Sequence, residues 1–204
     1  MDLSNVIEEL AATLAELTPP VNVQFRTPAS ESEIAEAESA IGLSFPADLV
    51  AVLRNANGQH EPGMHDNPLF PCLRFRDPLP EGGHMSSFTS HTWLNGTDEI
   101  VEMTNYHRAE YEELDCSEAF VSYGPAKYHP NVIAITTTEN ADSLVLDMEP
   151  TTGGTVGQVV CVCTQPFEVA VIEPSLQALL ERILKGYKFG QMQFDTDWPV
   201  WAEK

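Results

Sequence analysis

Basic side chains are scarce in this 204-residue chain: ten Lys and Arg stand against 31 Asp and Glu, a formal charge of −21. Nucleic acids and anionic membranes attract basic patches, so this balance argues against both as direct partners. It would suit a basic protein partner, because complementary fields speed encounter, but taken alone it reads first as charge that keeps the protein soluble. Cysteine is sparse too, with four residues at Cys72, Cys116, Cys161 and Cys163 and no CxxC pair. Cys161 and Cys163 stand two apart in an apolar run, so on a strand both point to one face. They read as buried free thiols in a reducing cytoplasm. No apolar run reaches the roughly eighteen residues that would cross a membrane as a helix. The first residues lack the basic start and apolar stretch of a secretory signal. The expected location is cytoplasmic, and Asn95-Gly96-Thr97 reads as a turn rather than a glycosylation site. Hydrophobic residues make up 43%, too many for a disordered chain. A chain this long buries about 70% of its unfolded surface and needs no metal or disulfide staple.

Catalytic signatures are missing as well. Six histidines are present, but there is no HExxH and no Cys/His quartet with zinc spacing. His60-Glu61 and His65-Asp66 share one loop, yet such pairs arise easily by chance. GxSxG, a Walker loop and GxGxxG are all absent. Gly153-Gly154-Thr155-Val156-Gly157 lacks the lysine of a phosphate loop and leads into a strand, so it reads as a hairpin turn. Among so many carboxylates no pair stands out for glycoside chemistry. The expectation is no catalytic residue, no metal and no cofactor.

The chain does carry clear patterning. Leu3, Val6, Ile7, Leu10, Leu14 and Leu17 repeat at helical spacing. Ser30 with Glu33 reads as a capping box, with Ile34, Ala37 and Ile41 as the apolar stripe and Gly42 as the closing cap. Pro46 opens a third helix, with Leu49, Val52, Leu53 and Ala56 inward and Asn57-Gly58 as its stop. Residues 59–97 are crowded with Pro, Gly, His and Asn, with one strand expected over Leu69 to Phe75. A helix is expected from Asp98 to Leu114, lined by Ile100, Met103, His107, Tyr111 and Leu114. Strands follow at Ala119–Tyr123, Asn131–Thr136, Ser143–Asp147, Gln158–Thr164 and Glu168–Ile172. Asp147 is placed to fix a turn by accepting backbone amides. The last helix runs from Ser175 to Gly186 over Leu176, Leu179, Leu180, Ile183 and Leu184. Strands grouped rather than alternating with helices predict an α+β fold: a mainly antiparallel sheet with N-terminal helices and a C-terminal helix packed on it. One domain is expected over residues 1–188, followed by a tail at 189–204.

Two segments resemble the SUKH superfamily, which contains the yeast cell-wall-assembly regulators (Smi/Knr). One is ASESEIAEAESAIGLSFPADLVAVLRNANG, from Ala29 to Gly58. The other is LVLDMEPTTGGTVGQVV, from Leu144 to Val160. The closing amphipathic helix adds a third, and together they cover about residues 30–186, with 59–130 long and individual to this chain. The resemblance implies helices packed on a mainly antiparallel sheet. It also implies an immunity protein that neutralises a cognate bacterial toxin by direct contact, with no catalytic residues to carry over. The alternatives are a regulatory scaffold of the cell-wall type and, ranked below it, a hydrolase.

Charge then suggests where such a partner would dock. A toxin acting on nucleic acid carries a basic cleft, which an acidic surface can fill as a polyanion mimic. The candidate partner-binding residues are Glu99, Glu102, Glu110, Glu112, Glu113, Asp115 and Glu118, with Trp93 and Tyr106 as aromatic anchors. The protein is expected to bind as a monomer or homodimer.

Overall fold

Local chemistry sets the ends of the helices. The computed structural model describes residues 3–17, 23–59, 69, 92–114, 120–138, 142–164, 167–195 and 200–203. Helix α1 (Leu3–Ala15) buries Leu3, Val6, Ile7, Leu10 and Leu14, the face its spacing predicts. Helix α2 (Glu31–Ile41) begins at the expected capping box. The Ser30 hydroxyl accepts the Glu33 N–H, and the Glu33 carboxylate accepts the Ser30 N–H at 2.7 Å. Gly42 closes the helix in the left-handed region. Helix α3 (Ala47–Leu53) follows Pro46 and buries Leu49, Val52 and Leu53. It stops at Leu53, earlier than Asn57-Gly58. Gly58 instead serves a reversal, and its carbonyl accepts the Arg26 N–H at 3.0 Å.

The chain resumes with β1 (Thr92–Leu94) and α4 (Thr97–Leu114). Then come β2 (Val121–Tyr123), β3 (Val132–Ala134), β4 (Thr136–Thr138), β5 (Ser143–Asp147), β6 (Gln158–Thr164) and β7 (Phe167–Glu173). Five of these strands form one sheet in the order β2-β7-β6-β5-β3. Its ladders are antiparallel except the β2–β7 pair. β1 pairs antiparallel with β4. The glycine-rich 153–157 stretch is the hairpin turn between β5 and β6, which pair Asp147 with Gln158 at its base.

The strands alternate between two layers. Leu144, Leu146, Val159, Cys161, Cys163 and Ile172 join the core built by α1, α2, α3 and α5. Val145, Val160, Val162 and Val169 pack in a second cluster with Met103 and Tyr111 of α4 and with Phe120 and Tyr128. As predicted, both central thiols are free, buried and on one face, 3.4 Å apart.

Helix α5 (Leu176–Lys188) starts at Ser175, whose hydroxyl accepts the Ala178 N–H. Each of its five buried aliphatic side chains contributes about 2 kcal/mol of burial. The helix does not end at Gly186 but runs through it. A Cβ there would sit 2.7 Å from Met192, so the bare glycine lets the tail lie against the helix. Beyond it, β8 (Met192–Asp195) and β9 (Val200–Glu203) pair as a hairpin that sequence patterning did not indicate. The strand expected over Leu69 to Phe75 lies outside the described residues apart from Leu69, which is buried. No helix of the described residues is long and apolar enough to cross a membrane.

Candidate functional site: an acidic helix and its cleft

Helix α4 is set in place by a joint of three segments. Gly96 offers its carbonyl to the Ile100 N–H, and the Glu99 carboxylate accepts the Gly96 N–H at 2.8 Å. Asn57, beyond α3, accepts the Thr97 N–H at 2.8 Å. Together these satisfy donors that a helix start leaves open. Arg26 completes the joint, with Nη1 3.2 Å from Asp98 and Nη2 bonded to Glu99. Burial pushes the Glu99 carboxyl up, against the pull of Arg26. For Asp98, burial is outweighed by its hydrogen bond with Glu99 and the Arg26 charge, which hold it below its ordinary value.

Between α2 and α4 lies an open cleft of about 580 Å³. Ala37, Ala40 and Val101 supply apolar wall, and Glu33, Glu36 and Asp98 supply carboxylates. Ser30 holds the Glu33 carboxyl down through its hydroxyl and backbone bonds. The side chains offer an alkyl-lined slot with anionic groups, a chemistry suited to the stem and head of Lys or Arg.

The outer side of α4 extends this character. Asp98, Glu102, Asn105, Tyr106, Glu112 and Glu113 fall on one helical stripe; Glu102, Asn105, Tyr106, Glu112 and Glu113 are exposed, and the Asp98 carboxylate is open to solvent. The helix carries six acids and one base, Arg108, whose Nε bonds the Pro130 carbonyl at 3.1 Å. Eighteen residues at a rise of about 1.5 Å make the stripe about 27 Å long.

The expected binding residues divide accordingly. Glu102, Glu112 and Glu113 stand on the exposed stripe, with Glu110 partly exposed beside Tyr106. Tyr106 is 46% exposed, and burial together with Glu110 raises its hydroxyl. Glu99 is half-buried in the Arg26 joint and serves the fold. Trp93 is 8% exposed on β1, which makes it core rather than a surface anchor. Asp115 and Glu118 lie outside the described residues. Sequence reading passed over Arg26, Glu36 and Asp98. In so acidic a chain each cation merits tracing to its carboxylate, and Arg26 would have led to the cleft.

The family model for SMI1/KNR4 (SUKH-1) matches residues 28–182. That span carries α2, α3, the sheet and most of α5, in the order described above. The chain belongs to the SMI1/KNR4 family (SUKH-1). No curated protein matches it closely enough to lend a specific activity. Both sequence blocks that resemble the superfamily lie within the match.

In this SUKH-1 domain the second block is a buried polar knot. Asp147 accepts from His129 Nε2 at 2.8 Å, from Gln158 Nε2 at 3.0 Å and from the Glu149 N–H at 2.9 Å. The turn-fixing role expected of Asp147 is what it performs. His129 Nδ1 accepts the Asn131 N–H at 3.1 Å, which places the ring proton on Nε2. Both ring nitrogens are thus committed to the fold, and a general base needs one free for substrate. Burial also pushes the Cys161 thiol well up, away from the thiolate a nucleophile requires. No group of three or more His, Cys, Asp or Glu that could hold a metal occurs among the described residues.

His107 is the other buried histidine among the described residues. The Tyr128 hydroxyl donates to the His107 carbonyl at 3.0 Å and so receives the proton on Nδ1 at 3.2 Å. Burial lowers the ring to about 4. A depressed histidine favours folding while neutral. Its contribution is complete above the unfolded value near 6.5 and is lost as pH falls toward 4. The expected loss by pH 4 is about 3 kcal/mol. Stability of wild type minus that of His107→Asn, measured by urea unfolding from pH 7 to 4, should fall by that amount. A flat difference would remove His107 as the cause.

Proposed function

We propose that this SUKH-1 protein is an immunity protein that binds a basic cognate toxin directly and holds it inactive in the cytoplasm. Bacterial members of the superfamily are commonly immunity proteins of toxin systems, which gives the class. The observation that carries the reading is the exposed acidic stripe on α4 beside a cleft edged by Glu33, Glu36 and Asp98. Such a surface competes with a polyanionic substrate for a basic cleft and draws it in by long-range attraction. The committed nitrogens of His129 support a binding role over hydrolysis.

The test is affinity capture with the tagged full chain from native lysate, followed by co-expression of the captured partner. A stoichiometric partner with a toxic domain, made harmless by co-expression, is the expected result. A partner that remains toxic would overturn the reading. Glu112→Lys with Glu113→Lys should slow association with that toxin about tenfold at low salt, with little change at high salt. An unchanged on-rate in stopped flow would remove this end of α4 from the encounter surface.

A further inference from the structure

The two edges of the five-stranded sheet are finished differently. At one edge, side chains satisfy the backbone of β3. Thr104 of α4 accepts the Ala134 N–H at 3.0 Å, and Asn95 donates to the Ala134 carbonyl at 3.2 Å. At the other, β2 pairs only with β7 among the described residues, and Val121 and Ser122 are exposed. Folded proteins guard such edges with charge, proline or a covering element. The segment Phe120 to Tyr123 has neither charge nor proline.

Apolar side chains stand on both faces of this open edge. Val121, 52% exposed, is paired in register with Glu168, so it projects to the same face as that residue. Phe167, 41% exposed, precedes Glu168 and projects to the other face, with its ring 5.2 Å from that of Phe120. Phe120 stacks on Tyr128 at 4.5 Å, and Tyr128 meets Tyr111 of α4 at 5.7 Å. A row of rings therefore ties the edge to the acidic end of α4, which bears Glu110, Glu112 and Glu113. Edge and helix end fall within one interface of ordinary size, about 800 Å² per partner.

We propose that the β2 edge receives an extended, basic segment of a partner protein as an added strand. Its apolar side chains would meet Val121 on one face and Phe120 and Phe167 on the other. This inference rests on reading the protein as a binder of a basic partner. Charge selects the occupant. A second copy would bring another −21 charges to the same surface, whereas basic flanks meet the acids of α4. Strand addition supplies main-chain hydrogen bonds, and the side-chain contacts select the segment.

The probe is a synthetic peptide with a Val-Thr-Val-Phe centre and two lysines at each end. A proline-interrupted analogue of equal charge is the control. Hydrogen exchange on the full chain should show the Val121–Tyr123 amides slowed at least about tenfold by the first peptide and not by the second. Val121→Lys and Phe167→Ser should each weaken peptide binding about tenfold, a change of about 1.4 kcal/mol. Both positions are exposed, and urea unfolding checks that each variant is folded. Binding without protection at β2 would overturn the proposal, as would equal binding of the control. Dimerisation of the free chain that Val121→Lys abolishes would also overturn it, by assigning the edge to a second copy. The immunity reading fails separately, if the co-expressed partner stays toxic while the peptide still protects β2.

Discussion

Replacing Asp147 with alanine should cost the fold about 4 kcal/mol, among the largest single losses available to this chain. Three donors converge on this carboxylate from three segments: His129 before β3, Glu149 in the hairpin, and Gln158 at the start of β6. Asp147, His129 and Gln158 are buried, so water does not repair the loss. Gln158 cannot simply turn over. Its Nε2 also serves the Pro125 carbonyl at 2.9 Å, and its Oε1 accepts the Thr155 N–H at 3.1 Å. Asp147→Asn keeps the shape but sets an amide N–H against one of these donors, for a loss of about 2 kcal/mol. With a urea dependence near 2 kcal/mol/M, the alanine variant should move the midpoint down by about 2 M. Equal costs for alanine and asparagine would show that the acceptor pair is not what holds the turn.

Much of this architecture was readable from the sequence because it is locally encoded. The Ser30 and Glu33 spacing can satisfy only a helix start, and the apolar stripe of α5 can be buried only as a helix. β5 and β6 were found within their observed bounds because an unbroken apolar run between turn residues has few other uses. What escaped was set by partners far along the chain. β1 is three residues long and exists by pairing with β4 about forty positions later. α3 ends at Leu53, and Gly58 serves a reversal against Arg26, more than thirty positions earlier in the chain. The exposure of the candidate residues was legible in part. Charge counting found the α4 stripe, since exposed acids at helical spacing are visible in one dimension. It could not tell that Glu99 is spent on Arg26, that Trp93 is buried, or that Glu33 and Asp98 face one cleft from two helices. Those facts depend on how α2 and α4 pack.

That packing depends on a close approach of two glycines, so Gly58→Ala should be as damaging as the loss of Asp147. A Cβ on Gly58 would lie 2.3 Å from the Gly96 nitrogen, and one on Gly96 would lie 2.5 Å from the Asn57 carbonyl and 2.4 Å from Arg26 Nη2. Backbone meets backbone here with no room for a side chain. Gly58 also sits at φ 80°, a conformation that costs an L-residue about 1–2 kcal/mol by itself. Strain and overpacking together predict about 4 kcal/mol for Gly58→Ala, and about 3 kcal/mol for Gly96→Ala, which carries no positive φ. Gly42→Ala separates the two causes. Gly42 has φ 68° but nothing within 4 Å of a Cβ, so its cost should stay near 1 kcal/mol. Urea unfolding of the three variants should follow that order, and a Gly58 cost no greater than that of Gly42 would refute the close-approach account. The consequence reaches the acidic surface. A Cβ at Gly96 should push Arg26 away from Glu99 and Asp98 and leave the half-buried Glu99 carboxylate without its cation. If the proposed function holds, a folded Gly96→Ala protein should also bind the proposed basic toxin more slowly, because the stripe and the cleft would no longer be held together by Arg26.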